Sequence, residues 1–482
     1  MKQLCFYPLL FSCLLLLTFS ACNEDKDEDF PTPEEETNTD LDLEQLGQSD
    51  LALFSIDTEG KAIPNEPKVA ANYTIKENGN ISYAGRLGIE LRGSTSRRLF
   101  EKKSFGVETW DQNNEDMDVG LLGFPEEEDW VLQGPYADKT LMRNVLIYEL
   151  SNQIGMYAAR TQFVELAIND NYLGVYAFME KLKRDNDRID IKRLDENDTE
   201  EDRITGGYIL KIDKTSGDND IDDWAGDAIY TASNSFRSDY AANGQRLNTT
   251  PFGAKQGNET YFMYEYPDRD DITVAQKEYI QNYISDFEEA LIGASFDANS
   301  TAPEYLNYID LESFAQFFIL NELSANPDAY RISTFLHKDR GEKLKMGPIW
   351  DFNLALGLDG RSSTNQWIYR YNERFPDDLW LVHFWWTKLL EDPIFRAEVQ
   401  RQWNLYRSDI LSMDNINSII ADQESFLESN DAINRNFKKW EVLGVALPFN
   451  SFVGKDYAAE REYLKDWIQQ RLNWLDGEIG SW

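Results

Sequence analysis

The apolar pattern of this 482-residue chain changes part-way along, and this change constrains the fold more than any other feature. In the first part, residues 51–108 consist of short β-prone runs separated by turn-forming residues. Residues 163–168 and 174–179 are two further runs that predict a hairpin, and residues 207–212 predict another strand. Residues 138–154 carry apolar side chains at helical spacing and predict a helix capped by its first residue, an aspartate. Strands therefore dominate the first part of the chain.

The second part of the chain has mainly helical spacing. Residues 275–291 and 311–323 are amphipathic stretches of helical length, and residues 379–482 alternate helical patterns with short loops. Strands followed by helices indicate an α+β fold. We predict two lobes, a β-rich N-terminal lobe over residues 49–215 and a mainly helical C-terminal lobe over residues 216–482.

All three cysteines of the chain lie in its first 22 residues. This segment has a basic start and an apolar core that is too short to span a membrane, followed by small residues up to Cys22. The pattern resembles a bacterial lipoprotein signal, so we predict a signal peptide over residues 1–21 and lipidation of Cys22. The mature chain then holds no other cysteine, which excludes disulfides and thiolate metal sites.

An acidic, proline-containing tract follows Cys22 and predicts a flexible tether over residues 22–48. The tract also resembles the surface-export signal of Bacteroidetes lipoproteins, and the alternative is a plain solvated spacer. We expect an outer-membrane lipoprotein exposed at the cell surface. Its contact with the membrane would be made by the N-terminal lipid only.

Charge and histidine content exclude several classes of function. The chain has 47 Lys and Arg against 86 Asp and Glu, a formal net charge of −39, so phosphate backbones would repel it and we expect no nucleic-acid partner. The chain has only two histidines, His337 and His383. This small number argues against a His-rich zinc site and leaves few candidates for a Ser-His nucleophile.

Two aspartates flank a predicted β-hairpin. Asp328 precedes the apolar run 333–336, a charged turn follows over residues 338–343, and the return run 344–346 leads to Asp351. A hairpin brings its outer ends together, so these carboxylates should face each other. A pair of this kind suits a hard divalent cation and resembles the layout of phosphoryl-transfer sites. From spacing alone, the alternative is that each aspartate caps a turn or a helix.

Several sequence blocks together resemble the spore-coat protein H (CotH) kinase family over about residues 49–357. The blocks, in chain order, are 91–96 (LRGSTS) with 102–105 (KKSF), 138–144 (DKTLMRN), 174–180 (GVYAFME), 326–328 (NPD) and 347–353 (GPIWDFN). The resemblance implies an atypical protein kinase-like fold. It also implies transfer of phosphate from ATP to Ser or Thr hydroxyls with Mg²⁺ or another hard divalent cation such as Mn²⁺ or Ca²⁺.

The resemblance also implies roles for individual residues. Asp328 matches the catalytic-loop aspartate and Asp351 the metal-binding one, helped by Asn353, which stands where the family pattern often has a second aspartate. Lys103 is the candidate for steadying the ATP phosphates, and its alternative is a solvated strand lysine. Arg143 would bind phosphate or form an ion pair with Glu149 or Glu180.

A non-catalytic surface protein is the alternative function. Such a protein would bind a glycan or a protein through the same cleft or through the aromatic run 379–386. Asn353 lowers the negative charge of the site, and ATP is scarce outside the cytoplasm; both points favour this alternative. At helical spacing, however, the aromatic run is more typical of a core, and His383 within it of a buried, hydrogen-bonded histidine.

Overall fold

A computed structural model describes residues 41–215, 229–296 and 302–482. The predicted signal peptide, lipidated Cys22 and the tether up to residue 40 lie outside the described residues. The last part of the predicted tether, residues 41–48, contacts the folded protein: Leu46 is buried and packs with Leu53 and Tyr172.

Seven strands form a closed barrel. They are β1 (Ala52–Asp57), β2 (Val69–Glu77), β3 (Asn80–Arg92), β4 (Ser104–Trp110), β5 (Asp129–Gln133), β6 (Thr161–Ile168) and β7 (Asn171–Glu180). Their order around the barrel is β1-β2-β3-β4-β5-β7-β6, and the parallel pair of β1 and β6 closes it. The predicted hairpin is confirmed as β6 and β7, which pair in antiparallel fashion. Buried Phe54, Trp130 and Phe178 belong to the barrel core.

A second sheet contains five antiparallel strands in the order β12-β11-β8-β10-β9. They are β8 (Tyr208–Ile212), β9 (Ser235–Arg237), β10 (Tyr261–Tyr266), β11 (Thr334–Lys338) and β12 (Leu344–Met346). The predicted strand 207–212 is therefore present, but it pairs with strands from much later in the chain. The strands up to Glu180 belong to the barrel, and those from Tyr208 onwards belong to the second sheet. This division falls before the predicted lobe boundary at residue 215.

The helices lie mostly in the second half of the chain. They are α1 (Thr95–Leu99), α2 (Arg143–Gln153), α3 (Val274–Ile292), α4 (Leu311–Ser324), α5 (Tyr371–Arg374), α6 (Trp385–Leu389), α7 (Pro393–Arg407), α8 (Met413–Ser429), α9 (Ala432–Lys439) and α10 (Tyr457–Gly480). Helices α3 and α4 confirm the predicted segments 275–291 and 311–323. Within the described ranges, no helix combines the length and apolar character needed to cross a bilayer.

The aromatic run 379–386 belongs to the interior, as predicted. Trp380, Trp385 and Trp386 are buried. The imidazole of His383 is also buried, with Nε2 2.8 Å from Glu288 Oε1 and Nδ1 3.0 Å from Thr260 Oγ1. These rings therefore offer no exposed platform on which a sugar could stack.

Helix α2 begins later than predicted. Its first residue is Arg143 rather than Asp138, because Leu141 has a left-handed backbone with φ of 68° that interrupts the helical path. Asp138 still stabilises the start of the helix, because its carboxylate accepts hydrogen bonds from the backbone N–H groups of Thr140 and Arg143 at 3.1 and 2.8 Å.

Candidate active site

The ends of three strands place the two predicted aspartates in one region. The predicted hairpin is confirmed as β11 and β12, with Leu336 opposite Met346. Strand β8 pairs with β11 on its other side, with Ile212 opposite Thr334. Because β11 is antiparallel to both neighbours, its start lies beside the ends of β8 and β12. The segments that precede β11 and follow β8 and β12 therefore meet at one edge of the sheet.

A large cleft opens at this edge and has a volume of about 1590 Å³. Residues of the barrel and of the second sheet both contribute to its lining. Asp328, Asp351 and Asn353 all line it, together with Asp213. The structure thus brings the two predicted aspartates to a shared cleft.

Helix α2 holds the backbone around Asp351. The N–H of Asp351 donates to Tyr148 Oη at 2.9 Å, and the N–H of Phe352 donates to Asn144 Oδ1 at 2.7 Å. Asp351 itself has a left-handed backbone with φ of 58°, which is uncommon for a residue with a side chain. Such conformations persist only where surrounding contacts impose them. These two hydrogen bonds are contacts of that kind.

Replacing Tyr148 should test this support. We expect Tyr148→Phe to lower the free energy of unfolding by about 1–3 kcal/mol, because the Asp351 N–H loses its acceptor in a partly buried position. Denaturant unfolding of the purified variant measures this change. Tyr83→Phe is the matched control, since the Tyr83 hydroxyl makes no hydrogen bond to the described residues and its loss should have little effect. Equal stability of Tyr148→Phe and the parent chain would contradict the assigned role.

Negative charge is concentrated around Asp351. Burial, together with repulsion from Asp328 and Asp213, raises the pKa of Asp351 to about 7, although the positive charges of Lys214 and Arg92 oppose this shift. The cleft lining contains 12 Asp and Glu residues against 9 Lys and Arg residues, an excess of acidic side chains. That excess favours a bound cation.

Asp213 is a cleft residue that sequence reasoning missed. It directly follows β8, and its carboxylate accepts a hydrogen bond from the N–H of Lys214 at 2.8 Å. Burial raises the pKa of Asp213. Its position after a predicted strand was a visible signal, but only the pairing of β8 with β11, over 100 residues away, places it beside the other carboxylates.

Asp328 is held by a buried arginine and remains open to the cleft. Arg331 Nη2 donates to Asp328 Oδ1 at 3.0 Å, and Arg331 Nη1 lies 3.3 Å from Asp378 Oδ1. The side chain of Asp328 is 17% exposed, whereas that of Arg331 is 1% exposed. Asp328 therefore has a fixed orientation and an accessible oxygen.

Lys103, the residue predicted to steady phosphates, is directed away from the cleft. Its Nζ donates to the carbonyl oxygens of Arg97 and Phe100 at 2.7 and 2.6 Å, at the end of α1. Lys103 does not line the cleft, and burial lowers its pKa. The neighbouring Lys102 is fully enclosed and donates to Val175 O at 2.6 Å.

Arg143 and Glu180 do not form the predicted pair. Arg143 Nη1 lies 2.5 Å from Asp138 Oδ1, because Asp138 is only five residues away and already contacts the helix start. Glu180 accepts hydrogen bonds from the Arg160 N–H and the Tyr157 hydroxyl at 2.9 and 3.0 Å. Both Arg143 and Glu180 are buried, and neither lines the cleft.

The closest grouping of carboxylates among the described residues is not at the predicted site. It consists of Asp118, Glu127 and Glu128, with oxygens within 4.8 Å of one another. Lys183 already neutralises this group, with Nζ 2.6 Å from Glu127 and 2.5 Å from Glu128. The carboxylates of Asp213, Asp328 and Asp351 lie farther apart than those of this group, although all three line the cleft.

A family model described as CotH kinase protein matches residues 89–475, from β3 into α10. Among solved structures, the chain is similar to the Helicobacter pylori proinflammatory kinase CtkA, at 9% identity and a TM-score of 0.30, over 78% of this chain and 94% of that one. No curated protein matched the sequence.

Proposed function

Because this chain belongs to the CotH kinase family, we propose that it is an atypical protein kinase that transfers the γ-phosphoryl group of ATP to Ser or Thr hydroxyls. The observation that carries the proposal is the shared cleft of Asp328, which precedes β11, and Asp351, which follows β12. Phosphoryl transfer needs one carboxylate near the attacking hydroxyl and another near the phosphates. The cleft offers both.

Asp328 is the proposed catalytic residue. Its accessible carboxylate orients the acceptor hydroxyl and accepts its proton as the hydroxyl oxygen bonds to the γ-phosphorus. The bond from that phosphorus to the β,γ-bridging oxygen breaks, and ADP leaves with the electron pair. Arg331 supports this role by holding Asp328 in one orientation.

Asp351 and Asn353 are the residues proposed to hold a divalent cation. The donor set fits a hard cation because it consists of carboxylate and amide oxygens, and because acidic side chains outnumber basic ones in the cleft lining. Mg²⁺ is the proposed ion, and Mn²⁺ and Ca²⁺ accept the same type of ligand. When bound, the ion supplies neutralisation of the phosphate charge.

A cleft that binds a ligand without transferring phosphate is the second candidate. Asn353 supports it, because an amide contributes no charge where the family pattern often has an aspartate. Binding of a glycan on the aromatic run 379–386 is not supported, because Trp380, Trp385 and Trp386 are buried. The remaining version predicts glycan or protein binding in the same cleft.

The location of the protein is also part of the proposal. The sequence around Cys22 supports a lipid anchor at the outer membrane with the folded chain exposed at the cell surface. The acceptor would then be a protein at that surface, and any partner is a protein or a glycan there. A lipid on Cys22, detected by mass spectrometry of the membrane fraction, tests this placement.

Phosphate transfer by the purified chain tests the function. The protein is incubated with γ-labelled ATP and Mg²⁺ or Mn²⁺, with and without a generic protein acceptor, and labelled residues are identified after acid hydrolysis. We expect labelled phosphoserine or phosphothreonine and release of ADP. Absence of transfer with any nucleotide and metal, together with no nucleotide-dependent melting shift, would favour the binding protein.

A further inference from the structure

The phosphate-binding cation of the cleft is still unassigned, because Lys103 is directed elsewhere. Most basic side chains of the cleft lining already have a carboxylate oxygen within 4 Å. These are Lys68, Lys181, Lys183, Lys211, Arg331 and Arg361. Each of these cations is at least partly neutralised by its partner, so none is a free charge for an incoming anion.

Three basic residues of the lining differ from the rest. Arg92, Arg184 and Lys214 have no carboxylate oxygen within 4.0 Å and no side-chain hydrogen bond to any part of the chain that the structure describes. Their charges are therefore available to a ligand. In a chain with a net charge of −39, basic side chains that contact no carboxylate among the described residues are unusual.

Arg92 and Lys214 line the same cleft as Asp351. Arg92 ends β3, and its guanidinium carbon is 5.5 Å from the ring centroid of Trp350, the residue before Asp351. Lys214 follows Asp213, and its Nζ is 5.5 Å from the ring centroid of Trp380. The barrel strand β3 and the segment after β8 thus each contribute one cation to the cleft that contains Asp351.

The aromatic contacts hold these cations without using their hydrogen bonds. A cation over a ring face is stabilised by about 0.5–2 kcal/mol, and its N–H groups remain free to donate. The planar guanidinium of Arg92 matches two phosphate oxygens at once, whereas the ammonium of Lys214 acts as a point charge. This combination suits a chain of several phosphates better than a single carboxylate.

We propose that Arg92 and Lys214 together bind the phosphate chain of the nucleotide, Arg92 from the barrel and Lys214 from the second sheet. They take the role that the sequence pattern suggested for Lys103. The inference rests on the proposed function for the identity of the nucleotide. The binding of a polyphosphate by these two residues can be measured separately from catalysis.

Calorimetric titration of the full chain with inorganic triphosphate, and then with ATP and Mg²⁺, tests the pair. We expect Arg92→Gln and Lys214→Gln each to weaken triphosphate binding about tenfold, the loss of one charge-assisted hydrogen bond of roughly 1.4 kcal/mol. The KM for ATP should rise by a similar factor while kcat changes little, and Arg92→Lys should recover part of the affinity. Lys455→Gln, which removes the same charge from a side chain that is 86% exposed, is the control and should bind like the parent chain.

Each outcome separates this inference from the proposed function. Triphosphate binding that the two variants weaken, without phosphate transfer by the parent chain, supports the inference and contradicts the kinase. Phosphate transfer with an unchanged KM in both variants overturns the inference and leaves the kinase standing. A parent chain that binds neither triphosphate nor ATP contradicts both, and unfolding midpoints of the variants exclude misfolding as the cause.

Discussion

Asp351→Asn should reduce metal-dependent phosphate transfer by about 10³-fold, one of the two largest effects that we expect from a single substitution. The variant keeps the size of the side chain but removes the charge that would neutralise a divalent cation beside the phosphates. A metal ion contributes several kcal/mol of charge stabilisation in such reactions, and each 1.36 kcal/mol is a factor of ten in rate. Initial rates at saturating ATP and Mg²⁺ measure the loss.

Metal binding by the same variant provides a readout that does not depend on turnover. We expect Mn²⁺, followed by its electron paramagnetic resonance signal, to bind Asp351→Asn at least tenfold more weakly than the parent chain. Asp377→Asn is the control, because Asp377 is exposed and does not line the cleft. Equal Mn²⁺ affinity of Asp351→Asn and Asp377→Asn would contradict the assignment.

The raised pKa of Asp351 adds a pH dependence of known sign. Its pKa is about 7 in the folded protein and 3.8 in the reference state, so the folded state binds this proton more tightly. Without metal, the resulting stabilisation is fully present below about pH 4 and is lost as the pH rises through 7. Metal requires the ionised carboxylate, so Mn²⁺ affinity should rise over the same interval. In Asp351→Asn, both the stability of the fold and the affinity for Mn²⁺ should depend less on pH.

Asp328→Asn should lower kcat by about 10²–10⁴-fold, the range typical of losing a proton acceptor. Nucleotide and metal binding should persist, because this carboxylate is proposed to contact the acceptor hydroxyl rather than the phosphates. Steady-state kinetics with varied ATP would therefore show a loss in kcat at nearly constant KM.

A structural effect through Arg331 is the competing explanation for such a loss. Asp378→Asn distinguishes loss of the proton acceptor from displacement of Arg331. Asp378 also pairs with Arg331, so its substitution would disturb the arginine similarly. We expect Asp378→Asn to retain much more activity than Asp328→Asn. Similar kcat values for these two variants would show that Asp328 acts only by holding the arginine.

Local patterns were sufficient for the parts of the site that depend on one hairpin. The runs 333–336 and 344–346, with the charged turn between them, predicted β11 and β12. A hairpin necessarily brings its two ends together. The proximity of Asp328 and Asp351 follows from that geometry, whereas their proposed roles come from the resemblance to the CotH kinase family. Helices α3 and α4 were likewise predicted, because their apolar spacing is long and regular.

Long-range pairing explains what the sequence could not predict. The barrel closes through the parallel pair of β1 and β6, which more than 100 residues separate, and no local pattern identifies such a partner. Asp213 joins the cleft for the same reason, since β8 pairs with β11. The direction of Lys103 depends on carbonyl groups left free at the end of the short helix α1, which spacing does not reveal.

The most direct test of the shared cleft is a crystal structure of the protein with Mn²⁺ and a non-hydrolysable ATP analogue, in which anomalous scattering locates the metal. We predict Mn²⁺ bound by Asp351 and contacting the phosphates, with Asp328 facing the γ-phosphate. Nucleotide bound outside this cleft, or Mn²⁺ bound at Asp118, Glu127 and Glu128 instead, would contradict the account.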